Sequence, residues 1–149
     1  MVDNTRKIVY SSKSIGGILS KLATTFQFKL LSFYKDKQIV DLIKEIKNEV
    51  DFAFYPYEAF MIYSVVRSQA DMEGDLAEVG VYQGGSAKLI CEIKRDKDLY
   101  LFDTFTGLPE VSEDDTHFGE KHWYENEFSN TSEEAIKKLL SKYENVHII

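Results

Sequence analysis

The chain has 149 residues, is 44% hydrophobic and 29% charged, and carries a formal net charge of -7, an ordinary water-soluble composition long enough for one domain with a real core. Its one cysteine, Cys91, excludes an intrachain disulfide, and no internal repeat or low-complexity tract is present, so a reducing, cytoplasmic compartment is expected. The charge is split, because seven basic residues stand against Asp3 and Asp36 up to Lys37 and the remainder is acidic. These basic residues are spaced out and no aromatic recognition motif accompanies them, so no nucleic acid is expected as a partner, a membrane surface is not favoured, and a solvated helix face or an arm docking on the acidic domain is the preferred reading.

In chain order, residues 1–36 read as a basic N-terminal arm with an amphipathic helix. Ile15, Ile18, Leu19, Leu22, Phe26 and Leu30 recur at three- and four-residue steps over Ser14 to Phe33. Lys21 and Lys29 make this run too polar to span a bilayer, and no signal peptide is visible. A helix lying on a membrane surface is one reading, and a packing or dimerisation helix is the preferred one. Residues 37–74 read as a helical segment packing on the domain. Its first helix, Lys37 to Val50, has Ile39, Leu42, Ile43, Ile46 and Val50 on a core-facing side. An aromatic turn with Phe52, Phe54, Tyr55 and Tyr57, broken by Pro56, feeds the next helix, Glu58 to Ala70.

Residues 75–149 carry the chemistry. Leu76, Ala77, Val79 and Val81 form a short apolar run interrupted by Glu78, as expected of a central parallel strand buried on both faces. A carboxylate there is tolerable near the strand's open end, where it accepts hydrogen bonds from a ligand, a loop or water. Gly80, Gly84 and Gly85 allow a tight turn with exposed backbone, and Ser86 is placed to cap the helix of Ala87, Leu89, Ile90 and Ile93. This is the ligand-binding corner of a doubly wound α/β fold. The spacing is not the Gly-x-Gly-x-x-Gly of a dinucleotide site, since Val81 and Tyr82 follow Gly80. A second apolar strand, Leu99 to Phe102, ends in Asp103 about twenty residues on, the separation expected of a ribose-binding carboxylate.

The strings Ala77-Glu78-Val79-Gly80-Val81-Tyr82-Gln83-Gly84-Gly85-Ser86-Ala87 and Phe102-Asp103-Thr104-Phe105-Thr106-Gly107-Leu108-Pro109-Glu110 resemble the macrocin O-methyltransferase (TylF-like) family of class I S-adenosylmethionine-dependent methyltransferases. The resemblance is clear from Asp75 to Pro109, weaker through the helix before it and the segment to Ile149, and absent from about the first forty residues. It implies a Rossmann-like α/β methyltransferase fold, S-adenosylmethionine as cofactor, and a hydroxyl of a sugar or glycosylated small molecule as acceptor. Cofactor-binding residues carried over are Glu78, Gly80, Tyr82, Gly84, Gly85, Ser86, Asp103 and Thr104, with Asp103 expected on both ribose hydroxyls. The family's divalent metal, such as Mg, is held by aspartates of later strands, so neither metal ligands nor catalytic residues are assigned here. With about three parallel strands against seven in the complete sheet, the chain is expected to be a truncated form or fragment that does not turn over. A nicotinamide-dependent oxidoreductase and a non-catalytic Rossmann-like fragment that dimerises or binds a partner stand as alternatives.

After Pro109 an acidic stretch without periodicity reads as a lid over the site. Asp114, Asp115, His117 and His122 lack tight ligand spacing, so no metal site is drawn there, and neither histidine is assigned as general base. Thr131-Ser132-Glu133-Glu134 reads as a capping box for a last helix bearing Ile136, Leu139, Leu140 and Tyr143, and Val146 to Ile149 as a third strand in which His147 is structural.

Overall fold

A computed structural model describes residues 15–50, 54–109, 112, 116–117, 120–121 and 127–149. Three helices come first: α1 (Ile15–Tyr34), α2 (Lys37–Glu49) and α3 (Pro56–Gln69). The α/β part follows as β1 (Leu76–Val79), α4 (Gly85–Cys91), β2 (Leu99–Phe102), a small antiparallel pair β3 (Thr116–His117) and β4 (Glu120–Lys121), α5 (Glu133–Leu140) and β5 (Val146–Ile148). β1, β2 and β5 form a parallel sheet in that order, with Leu76 opposite Leu99 and Leu99 opposite Val146. Parallel neighbours need a crossover, and α4 and α5 supply the two. Among the described residues no helix is long and apolar enough to cross a membrane.

The register puts Leu76, Glu78, Leu99, Leu101, Val146 and Ile148 on one face of the sheet and Ala77, Val79, Tyr100, Phe102 and His147 on the other. The helices cover the first face. Leu99 and Leu101 are fully buried in a core with Ile43, Ile46, Ala59, Val66, Leu89 and Ile136. The second face is open, with Val79 84% exposed. The expectation of a first strand buried on both faces is therefore corrected: the described helices lie over one face, and β1 is an edge strand of the described sheet.

Local chemistry explains the element starts. Asp36 caps α2 by accepting from the Gln38 N–H at 2.8 Å. Pro56 opens α3 rather than breaking the chain before it, since a first-turn proline loses no helical hydrogen bond. Glu58 reaches back to accept from the Tyr55 N–H at 2.7 Å. Ser132 caps α5 through the Ala135 N–H at 3.2 Å, so position N3 holds Ala135 and the expected reciprocal acid is absent; Thr131 is used elsewhere. Burial pushes the Cys91 thiol up to about 12, which makes it a packing group of α4.

α1 is a helix as its periodicity predicts, but it is turned about its axis. Gly17 and Leu31 are buried and Ser20, Thr24, Gln27 and Phe28 half-buried, while Ile18, Leu19, Leu22, Phe26 and Leu30 are exposed. The apolar stripe thus faces away from α2 and α3, and the line that packs inward mixes small and polar Gly17, Ser20, Thr24 and Gln27 with Phe28 and Leu31.

Candidate functional site

The site is built where β1 and β2 end. Gly80 takes a positive φ of 86° and donates its N–H to the Phe102 carbonyl at 2.9 Å, turning the chain off β1. Gly84, at φ 78°, is the N-cap of α4 and is needed for that backbone conformation; a Cβ there would lie 2.9 Å from Leu139 Cδ2 of α5, which would have to shift. Ser86 therefore does not cap the helix. It sits in the first turn of α4 and its Oγ donates to Glu78 Oε1.

That bond closes over a carboxyl group on the covered face of the sheet. Glu78 Oε2 is buried and has no hydrogen-bond partner among the described residues. Burial pushes the Glu78 carboxyl up to about 7, with the nearby Asp103 charge adding to the rise and the Ser86 hydroxyl opposing it. Asp103 is the opposite case. Burial alone would raise it, but N–H groups of Phe105, Tyr82 and Val81 outweigh burial and hold it below the usual carboxylate range. Its Oδ2 accepts from Val81 at 2.6 Å and Tyr82 at 2.9 Å, and its Oδ1 from Phe105 at 2.7 Å. A carboxylate offers about four acceptor positions, so the contacts described leave one, on Oδ1. The acid at the end of β2 is thus the clasp that fixes the glycine loop, with Tyr82 held at a positive φ of 51°.

A third segment completes the wall. Thr131 Oγ1 donates to the Tyr82 carbonyl, Gln83 Nε2 donates to the Asn130 carbonyl at 3.1 Å, and the Phe128 ring meets Tyr82 edge-on at 5.2 Å. Gly107, at φ 80°, packs so closely that a Cβ would lie 2.8 Å from the Glu127 carbonyl oxygen, and Leu108 N–H donates to that same oxygen at 2.9 Å. The lid expected after Pro109 is described only in part: its end, 127–131, grips both loops.

These loops enclose an open cavity of about 660 Å³, within the size range of small-molecule sites. Gly80, Tyr82, Gly85, Ser86, Asp103 and Thr104 border it, together with apolar Val79, Phe102, Leu108 and Phe128. Glu78 and Gly84 stand behind this wall, Glu78 through Ser86 and Gly84 beneath α5. Sequence reasoning missed Phe128 and Thr131, which lie about fifty residues from the glycine loop and carry no local signature, and Gly107, whose glycine-proline neighbourhood signals only a turn. It also missed Phe54, which lines the cavity from the segment before α3.

The remaining polar candidates lie elsewhere. His147 pairs with Asp98 at 2.5 Å and stacks on Tyr100 at 4.7 Å on the open sheet face, in keeping with a structural role. Asp114, Asp115 and His122 fall outside the described residues, and of His117 only the backbone is described. Among the described residues no group of three or more His, Cys, Asp or Glu comes together.

Comparison with known proteins returns one family. The model described as Macrocin-O-methyltransferase (TylF) matches residues 61–147, more than half of the chain and all of the glycine corner. Searches of curated proteins and of solved structures each return no match.

Proposed function

The chain belongs to the macrocin-O-methyltransferase (TylF) family, and on that premise we propose that its glycine corner takes S-adenosylmethionine and serves O-methylation of a hydroxyl on a sugar-containing small molecule. The observation that carries this reading is the 660 Å³ cavity at the carboxyl ends of β1 and β2, walled by the glycine loop and by Asp103. The residues fit such a ligand in three respects. Apolar Phe102, Leu108 and Phe128 offer surface for a base, the open position on Asp103 Oδ1 suits one ribose hydroxyl, and the unpartnered Glu78 Oε2 provides negative potential behind Ser86 for an ammonium group. On this reading Asp103 meets the ribose through the open position on Oδ1.

When bound, the cofactor supplies an electrophilic methyl group on a positively charged sulfur. The chain's own part is to bind, orient and keep water away, which is where methyl transfer gains most from an enzyme. Gly80 and Gly85 let the backbone approach closely, Asp103 locks the loop before the ligand arrives, and the 127–131 segment with Phe128 shields one side. Glu78 acts as a charge that a cationic ligand switches on. Near pH 7 the group is half protonated, and a bound ammonium favours its ionised form.

Calorimetric titration with S-adenosylhomocysteine tests the reading. Affinity should rise about tenfold between pH 6 and pH 8 as Glu78 ionises. Glu78→Gln should flatten that dependence, and Asp103→Ala should abolish binding by freeing the glycine loop. A folded sample that binds nothing would return the chain to the class of non-catalytic partner-binding fragments. Displacement by NAD would favour a nicotinamide-dependent oxidoreductase instead.

A further inference from the structure

Among the described residues, the outward face of α1 is an extended apolar feature that the candidate site does not use. Ile18, Leu19, Leu22, Phe26, Leu30, Phe33 and Tyr34 are all at least 49% exposed, and Phe33 is 90% exposed. Taken together they offer about 800 Å² of largely apolar surface, on the basis of roughly 200 Å² for a large side chain. That exceeds the few hundred Å² that a soluble monomer leaves in one patch and equals one partner's share of a standard protein–protein interface.

The positions are also self-complementary. Phe26 lies midway between Leu19 and Phe33, midway between Leu22 and Leu30, and midway between Ile18 and Tyr34. Two copies of α1 running antiparallel about a two-fold axis at Phe26 would therefore bring Leu19 to Phe33, Leu22 to Leu30, Ile18 to Tyr34 and Phe26 to its own mate. This is the requirement of an isologous contact, in which the same patch serves both subunits. The axis also sets Lys29 opposite the small Ala23, so the lysine of the stripe does not meet its counterpart, and its methylene stem can cover apolar surface while the ammonium reaches water.

We propose that α1 is a dimerisation helix and that its occupant is a second copy of this chain, docked antiparallel through the Leu19-to-Phe33 stripe. A lipid surface suits the helix less well. An interfacial helix turns a lysine-rich face to water, whereas the face of α1 opposite the stripe is Gly17, Ser20, Thr24 and Leu31, already turned inward against α2 and α3. Its two lysines, Lys21 and Lys29, are also few for attraction to anionic headgroups.

The test is the solution mass of the 149-residue chain by light scattering and sedimentation. The expected result is a dimer of twice 17.2 kDa, halved in mass by Phe26→Glu with an unchanged helical circular dichroism spectrum. Oxidative cross-linking reads the geometry. Phe26→Cys should form a covalent dimer readily because the two residues meet across the axis, whereas Leu19→Cys should not, its counterpart lying at the other end of the contact. A monomer at every concentration would overturn the proposal. So would a dimer that Phe26→Glu leaves intact, or self-cross-linking through Leu19→Cys in place of Phe26→Cys. Monomeric protein that co-sediments with phosphatidylglycerol vesicles and loses this with Phe26→Glu would assign the stripe to lipid.

Discussion

The two faces of the parallel sheet are made from the same kinds of residue and have opposite environments. Leu99 and Leu101 of β2 are fully buried under the helices, whereas Val79 of β1, one residue on from Glu78, is 84% exposed. Alternation along a strand sends neighbours to opposite faces, so hydrophobicity alone does not say which face has a cover. The face with the cover also holds the one carboxylate of the three parallel strands, Glu78, with its Ser86 partner. The open face holds Val79, Phe102 and the His147–Tyr100 stack. What differs is the layer above, and that layer decides what each side chain is worth.

The largest effect should follow from removing covered apolar volume. Leu101→Ala empties a fully buried site between the helices, and a loss of about 2–5 kcal/mol of stability is expected from the lost transfer energy and the cavity left behind. Urea unfolding gives the number. A loss below about 1 kcal/mol, by the same scale, would mean that the covered face is loosely packed and that the contrast between faces is one of geometry only.

The next effect tests the charge under the same cover. Folding raises the Glu78 carboxyl from 4.5 to about 7, so the folded chain prefers the protonated form. Its contribution to stability is fully present below pH 4.5 and is lost as pH rises to about 7, after which both states are ionised. The loss amounts to roughly 3 kcal/mol, since each tenfold change in a proton-binding constant is worth about 1.4 kcal/mol. Glu78→Gln, neutral at every pH, should match the wild type near pH 4 and exceed it in stability above pH 7. Parallel curves for the two proteins across this range would show that Glu78 is not desolvated. The gain in stability would come with a flattened ligand response, the usual trade at a site kept strained for binding.

How far the sequence anticipated this depended on whether the signal was local. Element types and the order of the βαβ corner were legible because Leu76 to Val79 and Leu99 to Phe102 are short apolar runs separated by a glycine loop and a helix. The family was legible for the same reason, its motifs being continuous strings. Orientation was not. The stripe of α1 has the periodicity of a buried face, and nothing within twenty residues reveals that Gly17, Ser20 and Thr24 are the line that packs inward. Asp103 was identified as the acid of the corner, but its bonds to the Val81 and Tyr82 N–H groups come from residues twenty-one and twenty-two positions away and belong to the turn geometry. Ser86 reads as a helix cap by residue type. It is diverted because Glu78, eight residues earlier and on the covered face, has few other partners.

The smallest effect belongs to the open face. Val79→Thr keeps the branched shape that suits a strand and adds a hydroxyl that meets water, so a change within about 0.5 kcal/mol is expected in urea unfolding. The result is informative because the side chain also lines the cavity, and ligand affinity can be read in the same samples. Unchanged stability with weakened binding of S-adenosylhomocysteine would give the open face a role in the site rather than in the core. A loss near about 2 kcal/mol would instead show Val79 buried in solution, since covering an apolar side chain of this size contributes about 1.5–3 kcal/mol. A second layer would then lie over Val79, Phe102 and His147. A loss that grows with protein concentration would identify that layer as another copy of the chain, because only association makes stability depend on concentration.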